Sequence, residues 1–117
     1  MSVWSTSSMK VMMEQCMEAC LKCARACEEC TSICMQATDV QAKINYIQTL
    51  QDCAQVCWQA ASFMARSSQF AQQYCELCAA ICEACAEECA KFNDACCQEC
   101  AQICRECAQA CRNMTSS

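Results

Sequence analysis

Glycine, proline and histidine are all absent from the 117 residues. At ordinary usage of roughly 12% for glycine and proline together, a chain this long would carry about fourteen of the two. Without them the usual turn and breaker signals are missing, which favours an all-helical protein with short polar loops. The lack of histidine rules out a Cys–His dyad and removes a common zinc ligand. No apolar run approaches the ~20 residues of a membrane span. Net charge is −5 with both signs interspersed, so the basic face that nucleic acid requires is also missing. The first eight residues, Met1 to Ser8, carry neither a basic n-region nor an apolar h-region. No signal peptide is therefore expected, and the reading is cytoplasmic, with no membrane or nucleic-acid partner.

Cysteine is what the chain has instead: nineteen of them. Cys16, Cys20, Cys23, Cys27, Cys30 and Cys34 follow one another in steps of four and three. That is the a/d spacing of a helical heptad, which lines one stripe of a helix. Every core position for nearly three heptads is a thiol. A small secreted protein with this much cysteine would be a disulfide scaffold. The odd count, the missing export signal and the helical spacing all oppose that. Thiols at this density in a reducing compartment point to metal.

The rest of the chain repeats the theme. Residues 1–7 read as a flexible tail, and 8–114 as a single domain of four helices at about 8–36, 39–66, 69–91 and 94–113. Backwards from Cys16 the first stripe continues through Met13 and Met9. Thr38-Asp39-Val40-Gln41 resembles a capping box for the second helix, whose stripe is Tyr46, Leu50, Cys53, Cys57, Ala60 and Met64. Ser67 or Ser68 can cap the third helix, which carries Ala71, Cys75, Cys78, Cys82, Cys85 and Cys89. Asn93 or Asp94 can cap the fourth, which carries Cys97, Cys100, Cys104, Cys107, Cys111 and Met114. Cys96 sits one residue off this last stripe. Short connections imply antiparallel neighbours, hence an up-down-up-down four-helix bundle with a cysteine-lined core.

Packing alone does not account for such a core. Alanine, valine or leucine would fill it without the oxidation liability of a thiol. Thiolate is the soft ligand that selects Cu(I), Zn(II) or iron–sulfur clusters. Positions i and i+4 have Cβ atoms ~5–6 Å apart, so two such sulfurs can turn to grip one ion. The pairs of this kind are Cys16/Cys20, Cys23/Cys27, Cys30/Cys34, Cys53/Cys57, Cys78/Cys82, Cys85/Cys89, Cys96/Cys100, Cys100/Cys104 and Cys107/Cys111. Charge then separates the metals, because uncompensated charge in a narrow bundle is expensive. Nineteen thiolates are neutralised by a similar number of Cu⁺ ions. Zinc in Cys₄ sites would take fewer than about five ions and leave a core near −10. One iron–sulfur cluster would leave most of the thiols unexplained. Cu(I), on the order of 15–20 ions per chain, is the best match.

Met9, Met13, Met64 and Met114 all lie on core stripes, and an up-down-up-down bundle puts all four at one end. Thioethers are neutral and weaker than thiolates, as a mouth for Cu(I) should be, although methionine is also good core filler. The opposite end, with Ile44, Tyr46, Ile47 and Phe92, reads as an apolar plug. A dithiol redox protein is the competing class, since CxxC pairs such as Cys20/Cys23 and Cys75/Cys78 recur. These pairs fall mid-helix and face inward, whereas catalytic thiols need a helix N-terminus and access. No enzyme activity is expected.

The run from Cys16 to Cys34, the segment Asp52 to Cys57, the run Cys75 to Cys89 and the helix-four run Cys97 to Cys111 together resemble the copper storage proteins. The resemblance covers about residues 14–114. It implies a homotetramer of four-helix bundles, each loading many Cu(I) ions, mostly through two-coordinate CxxxC thiolates. It also implies either a cytosolic store or an exported one, depending on a signal peptide, and with none expected the chain resembles the cytosolic branch. Members commonly carry histidine at a mouth between helices three and four, where this chain has Phe92, Asn93 and Asp94. Where relatives place another cysteine early in helix two, this chain has Tyr46, which is expected to shorten the metal-binding column at that end.

Overall fold

The computed structural model describes residues 7–115. Among them lie four helices, α1 (Ser7–Met35), α2 (Ile44–Ala65), α3 (Ala71–Cys89) and α4 (Ala95–Thr115), with a 3-10 turn at Val40–Lys43 and no strand. Of the tail expected at residues 1–7, Ser7 already opens α1, and the rest lies outside the described residues.

The helices form because strong helix formers alternate with cysteine at heptad spacing. They pack as a ring, with α1 against α2 and α4, and α3 against α2 and α4. Sulfur contacts give their directions. Cys16 near the start of α1 meets Cys111 near the end of α4, whereas Cys30 meets Cys96. Likewise Cys53 meets Cys82, and Cys57 meets Cys78. Neighbours are thus antiparallel, and the bundle is the up-down-up-down arrangement expected. It is a rod of 53 × 18 × 17 Å. Small residues flank the cysteine stripes, and Ala24, Ala54, Ala60, Ala79, Ala86, Ala101 and Ala108 are all buried. These alanines let the helices approach closely enough for the sulfurs to meet on the axis.

The main departure from the sequence reading is the start of the second helix. Residues 40–43 form a 3-10 turn, and the α-helix begins only at Ile44. The capping box is not made: Asp39 precedes the turn without a side-chain capping bond. Its carboxylate instead lies 3.4 Å from the Lys43 ammonium. Lys43 is 1% exposed and also donates to Asp94 Oδ2 at 2.7 Å. This ion pair ties the α1–α2 connection to the start of α4. The capping roles are accordingly divided. Asp94 receives the first amides of α4, from Cys97 and Gln98, on its backbone carbonyl, and its carboxylate serves Lys43. Nor does a serine cap α3: Phe70 stands at the N-cap position without a side-chain capping bond, and the Ser68 hydroxyl accepts from the Phe70 amide in the turn before it.

The apolar plug also needs correction. Tyr46 and Ile47 are buried, but Ile44 is 45% exposed and contributes nothing to closure. Its place is taken by a layered stack. Phe92 lies over Tyr46 with ring centroids 4.8 Å apart, and the Lys43 ammonium is 5.3 Å from the Phe92 centroid.

Candidate metal centre

All nineteen cysteines are free thiols; eighteen are buried and Cys96 is partly exposed. The helical rise spaces successive cysteines of one stripe along the axis, and the antiparallel neighbours interleave theirs between them. The result is a nearly unbroken column. From the methionine end it runs Cys16–Cys111 (3.6 Å), Cys111–Cys20 (3.8 Å), Cys20–Cys78 (4.0 Å), Cys78–Cys57 (3.7 Å), Cys57–Cys82 (3.7 Å) and Cys82–Cys53 (3.6 Å). It continues Cys53–Cys23 (3.8 Å), Cys23–Cys104 (3.7 Å), Cys104–Cys27 (3.9 Å) and Cys27–Cys100 (3.8 Å). Cys107 joins it through Cys20 and Cys57, at 3.8 and 3.9 Å.

Of the expected CxxxC pairs, four are drawn together within their own helix: Cys78/Cys82 (3.8 Å), Cys100/Cys104 (3.9 Å), Cys30/Cys34 (4.0 Å) and Cys85/Cys89 (4.0 Å). The shortest approaches are between helices, as at Cys16/Cys111, Cys53/Cys82 and Cys30/Cys96, each 3.6 Å. Heptad spacing identifies the stripe. It does not say how the stripes of neighbouring helices interleave, which is why the cross-helix partners were missed.

These separations bear on coordination. With a metal–sulfur bond of ~2.3 Å, two sulfurs on opposite sides of an ion stand ~4.6 Å apart, and three in a plane stand ~4.0 Å apart. Observed separations of 3.6–4.0 Å suit shared, three-coordinate geometry directly. Two-coordinate geometry is within reach of a modest χ1 turn. The sulfurs also form overlapping tetrads, with all four atoms within 4.8 Å of one another. Examples are Cys20/Cys78/Cys107/Cys111, Cys57/Cys78/Cys82/Cys107, Cys23/Cys53/Cys57/Cys82 and Cys23/Cys27/Cys53/Cys104. Each shares at least one sulfur with another. Overlap of this kind cannot be filled as separate closed Cys₄ sites, and it suits ions bridged by common thiolates.

At the closed end the column terminates on a phenol. Tyr46 Oη donates to Cys89 Sγ at 3.2 Å and lies 3.3 Å from Cys30 Sγ. Cys30, Cys34, Cys96 and Cys97 form a fourfold cluster beside it. Burial pushes the Cys34 and Cys97 thiols up from their ordinary range. Contact with the Cys111 and Cys16 sulfurs, followed by burial, does the same for Cys75. Lys43 partly offsets the shift at Cys34. No sequence signal marked that lysine, because a single Lys in a polar connection reads as a solvated side chain.

Among the methionines, Met13, Met64 and Met114 are buried, and Met9 is partly buried against the same core. The Cys75 thiol donates to the Met64 thioether at 3.6 Å, so the soft-ligand column extends into the methionine end. Phe63 and Tyr74 stack beside the α2–α3 turn at 4.1 Å.

A four-helix bundle whose axis is a column of buried thiols defines a soft-metal-binding bundle as a class. The family model for copper storage proteins matches residues 9–116, and the chain belongs to that family. Among solved structures it is similar to the Cu(I)-bound copper storage protein BsCsp3, at 38% identity and a TM-score of 0.86, covering 90% of this chain and 99% of that one. The metal-free copper storage protein 3 of Bacillus subtilis is 39% identical with a TM-score of 0.83, over 88% and 98% of the two chains. A cytosolic copper storage protein of Streptomyces lividans, holding five coppers, is 34% identical with a TM-score of 0.87, over 91% and 93%. A comparison with curated protein sequences found no match.

Proposed function

We propose that this chain stores Cu(I) in the cytosol, holding many ions per bundle in shared thiolate coordination. The observation that carries the reading is the column of overlapping sulfur tetrads. A single catalytic or structural metal needs one tetrad, and a redox dithiol needs one exposed pair. A continuous column of buried thiols is useful for holding many soft cations at once. All nineteen cysteines serve as ligands, on the order of 15–20 ions per chain, within the single domain 8–114. Each ion displaces about one thiol proton, so the core stays near neutral as it fills. Relatives described as Cu(I)-bound and as holding five coppers support this.

In the same reading, the CxxxC pairs supply two of the sulfurs around an ion and the neighbouring helix a third. Met9, Met13, Met64 and Met114 form a soft mouth for weakly held Cu(I). The contact of Met64 with Cys75 supports this, because an ion on the thioether is one step from the thiol column. The bundles assemble as homotetramers. Sedimentation equilibrium of the reduced protein checks that, with a monomer mass ruling it out.

The test of storage is an anaerobic Cu(I) titration of the reduced protein against a chromogenic Cu(I) chelator. Saturation near one ion per cysteine, tight throughout, is expected. Saturation at four or five equivalents, with zinc held equally well, would point to discrete Cys₄ sites. For the mouth, replacing all four methionines by leucine should slow uptake of Cu(I) supplied in a weak nitrile complex, with capacity unchanged. Unaltered uptake kinetics would remove the mouth from the account.

A further inference from the structure

Cys96 is the one cysteine off the heptad stripes and the one that is not buried. Its neighbour Cys97 faces the axis, so Cys96 is turned towards the seam between α1 and α4. A cleft of about 290 Å³ opens on that seam, lined by Cys30, Cys96 and Cys100 together with Lys22, Arg25 and Glu99. Cys30 and Cys100 are buried at its base. Cys96 Sγ is 3.6 Å from Cys30 Sγ and 3.9 Å from Cys97 Sγ, and with Cys34 these make a tetrad within 4.8 Å. Cys30 and Cys100 line the cleft together, and Cys100 Sγ is 3.8 Å from Cys27 Sγ in the main column. A side opening therefore leads from solvent, through one partly exposed thiol, into the sulfur column. The bundle end beside it is closed by Tyr46, Phe92 and Lys43.

We propose that this tetrad is a ligand-exchange port, at which Cu(I) carried by a small zwitterionic thiol passes to the core. The inference rests on the storage reading above and names the form in which one copper source arrives. The Cys96 sulfur bonds to the carrier's copper, the bond from copper to the carrier sulfur breaks, and the Cys96 proton leaves on the carrier as its thiol. Copper stays Cu(I) throughout, and charge balances at each end. A thioether cannot perform this exchange. It has no proton to return to the departing thiolate, and as the weaker ligand it does not displace one. The cleft suits such a carrier in size and charge. It is of small-peptide volume and its rim carries both signs, cationic Lys22 and Arg25 to meet carboxylates and anionic Glu29 and Glu99 to meet an ammonium group, with Arg25 also paired to Glu29 at 3.1 Å.

The experiment is anaerobic stopped-flow transfer from Cu(I)–glutathione to the reduced full chain. Cys96→Ala should slow the initial transfer by about tenfold or more, because access governs thiol exchange. The surface control Gln55→Ala, at an exposed position of α2 outside the cleft, should keep the wild-type rate. The four-methionine variant tests the competing route through the bundle end. A second measurement needs no variant: substoichiometric iodoacetamide should label Cys96 first, and the first equivalents of copper should protect it. An unchanged rate in Cys96→Ala, a slowed rate in the methionine variant alone, or first labelling elsewhere would each overturn the port. Any of these with full capacity retained leaves storage intact, whereas a wild-type capacity of four or five ions removes the storage reading itself.

Discussion

Lys43 is the one buried charged residue among the described residues. Its ammonium is buried, bound to Asp94 and flanked by Asp39. The hydrogen bond to Asp94 holds the lysine above its ordinary range, and the same bond holds the Asp94 carboxyl below its own. The two shifts act on stability with opposite signs of pH. The lysine's contribution is fully present below its unfolded pKa and is lost as pH rises through the folded one. That of Asp94 is present above the unfolded carboxylate range and is lost as pH falls through the depressed folded value. Removing one partner leaves a buried charge, whereas removing the charge itself does not. Asp94→Asn should therefore lower the Tm of the metal-free protein at pH 7 more than Lys43→Met does. Thermal denaturation followed by circular dichroism checks the order; the reverse order would mean that Asp39 alone satisfies the lysine. Neither role was legible in the sequence, where Asp94 read as a cap and Lys43 carried no signal. The pairing exists only because the α1–α2 connection folds over the start of α4.

At the scale of elements, the α2–α3 connection shows what a chain without glycine must do. Ser67 has φ 50, the left-handed conformation that glycine usually supplies just past a helix end. The Ser67 amide bonds to the Met64 carbonyl, and the Ser68 amide to that of Phe63, the paired pattern of a Schellman motif. A side chain in this conformation costs about 1–2 kcal/mol. Ser67→Gly should recover about 1 kcal/mol, raising Tm by roughly 4 °C for a domain of this size. No gain in Tm would mean that unfolded-chain entropy cancels the relief. The four helices themselves were readable from the cysteine period, because a step of four and three leaves α-helix as the one element with every thiol on one side. Their ends were less readable. The serines around the α2–α3 break placed that turn well, but the apparent capping box at Thr38 hid a 3-10 turn, since the Asp39 carboxylate binds Lys43 instead of the helix amides.

The whole molecule couples protons to stability through its thiols. Burial holds Cys34 and Cys97 protonated beyond the ordinary thiol value of 9.0. Above that pH the unfolded chain binds fewer protons at these positions than the folded one, so the slope of unfolding free energy with pH is negative. The metal-free bundle should therefore lose stability steadily as pH rises above about 9, read as a falling denaturant midpoint. A protein loaded with Cu(I) has already given up those protons and should hold its midpoint over the same range. Equal alkaline loss in both forms would contradict thiol protonation as the cause.

The sequence by itself determined the helical class, the thiol-lined stripe of each helix and the soft-metal chemistry. It could do so because side-chain identity and a 3.5-residue period are local properties, and nineteen cysteines, all but Cys96 on that period, have one chemical reading. Only the tertiary structure decided which sulfurs meet. The stagger of antiparallel helices pairs Cys16 with Cys111 and Cys53 with Cys82 more closely than the CxxxC steps within α3 and α4. It also turned Ile44 outward, drew Lys43 inward and left Cys96 at a side cleft. Each of these depends on where one helix lies against the next, which no spacing along a single helix encodes.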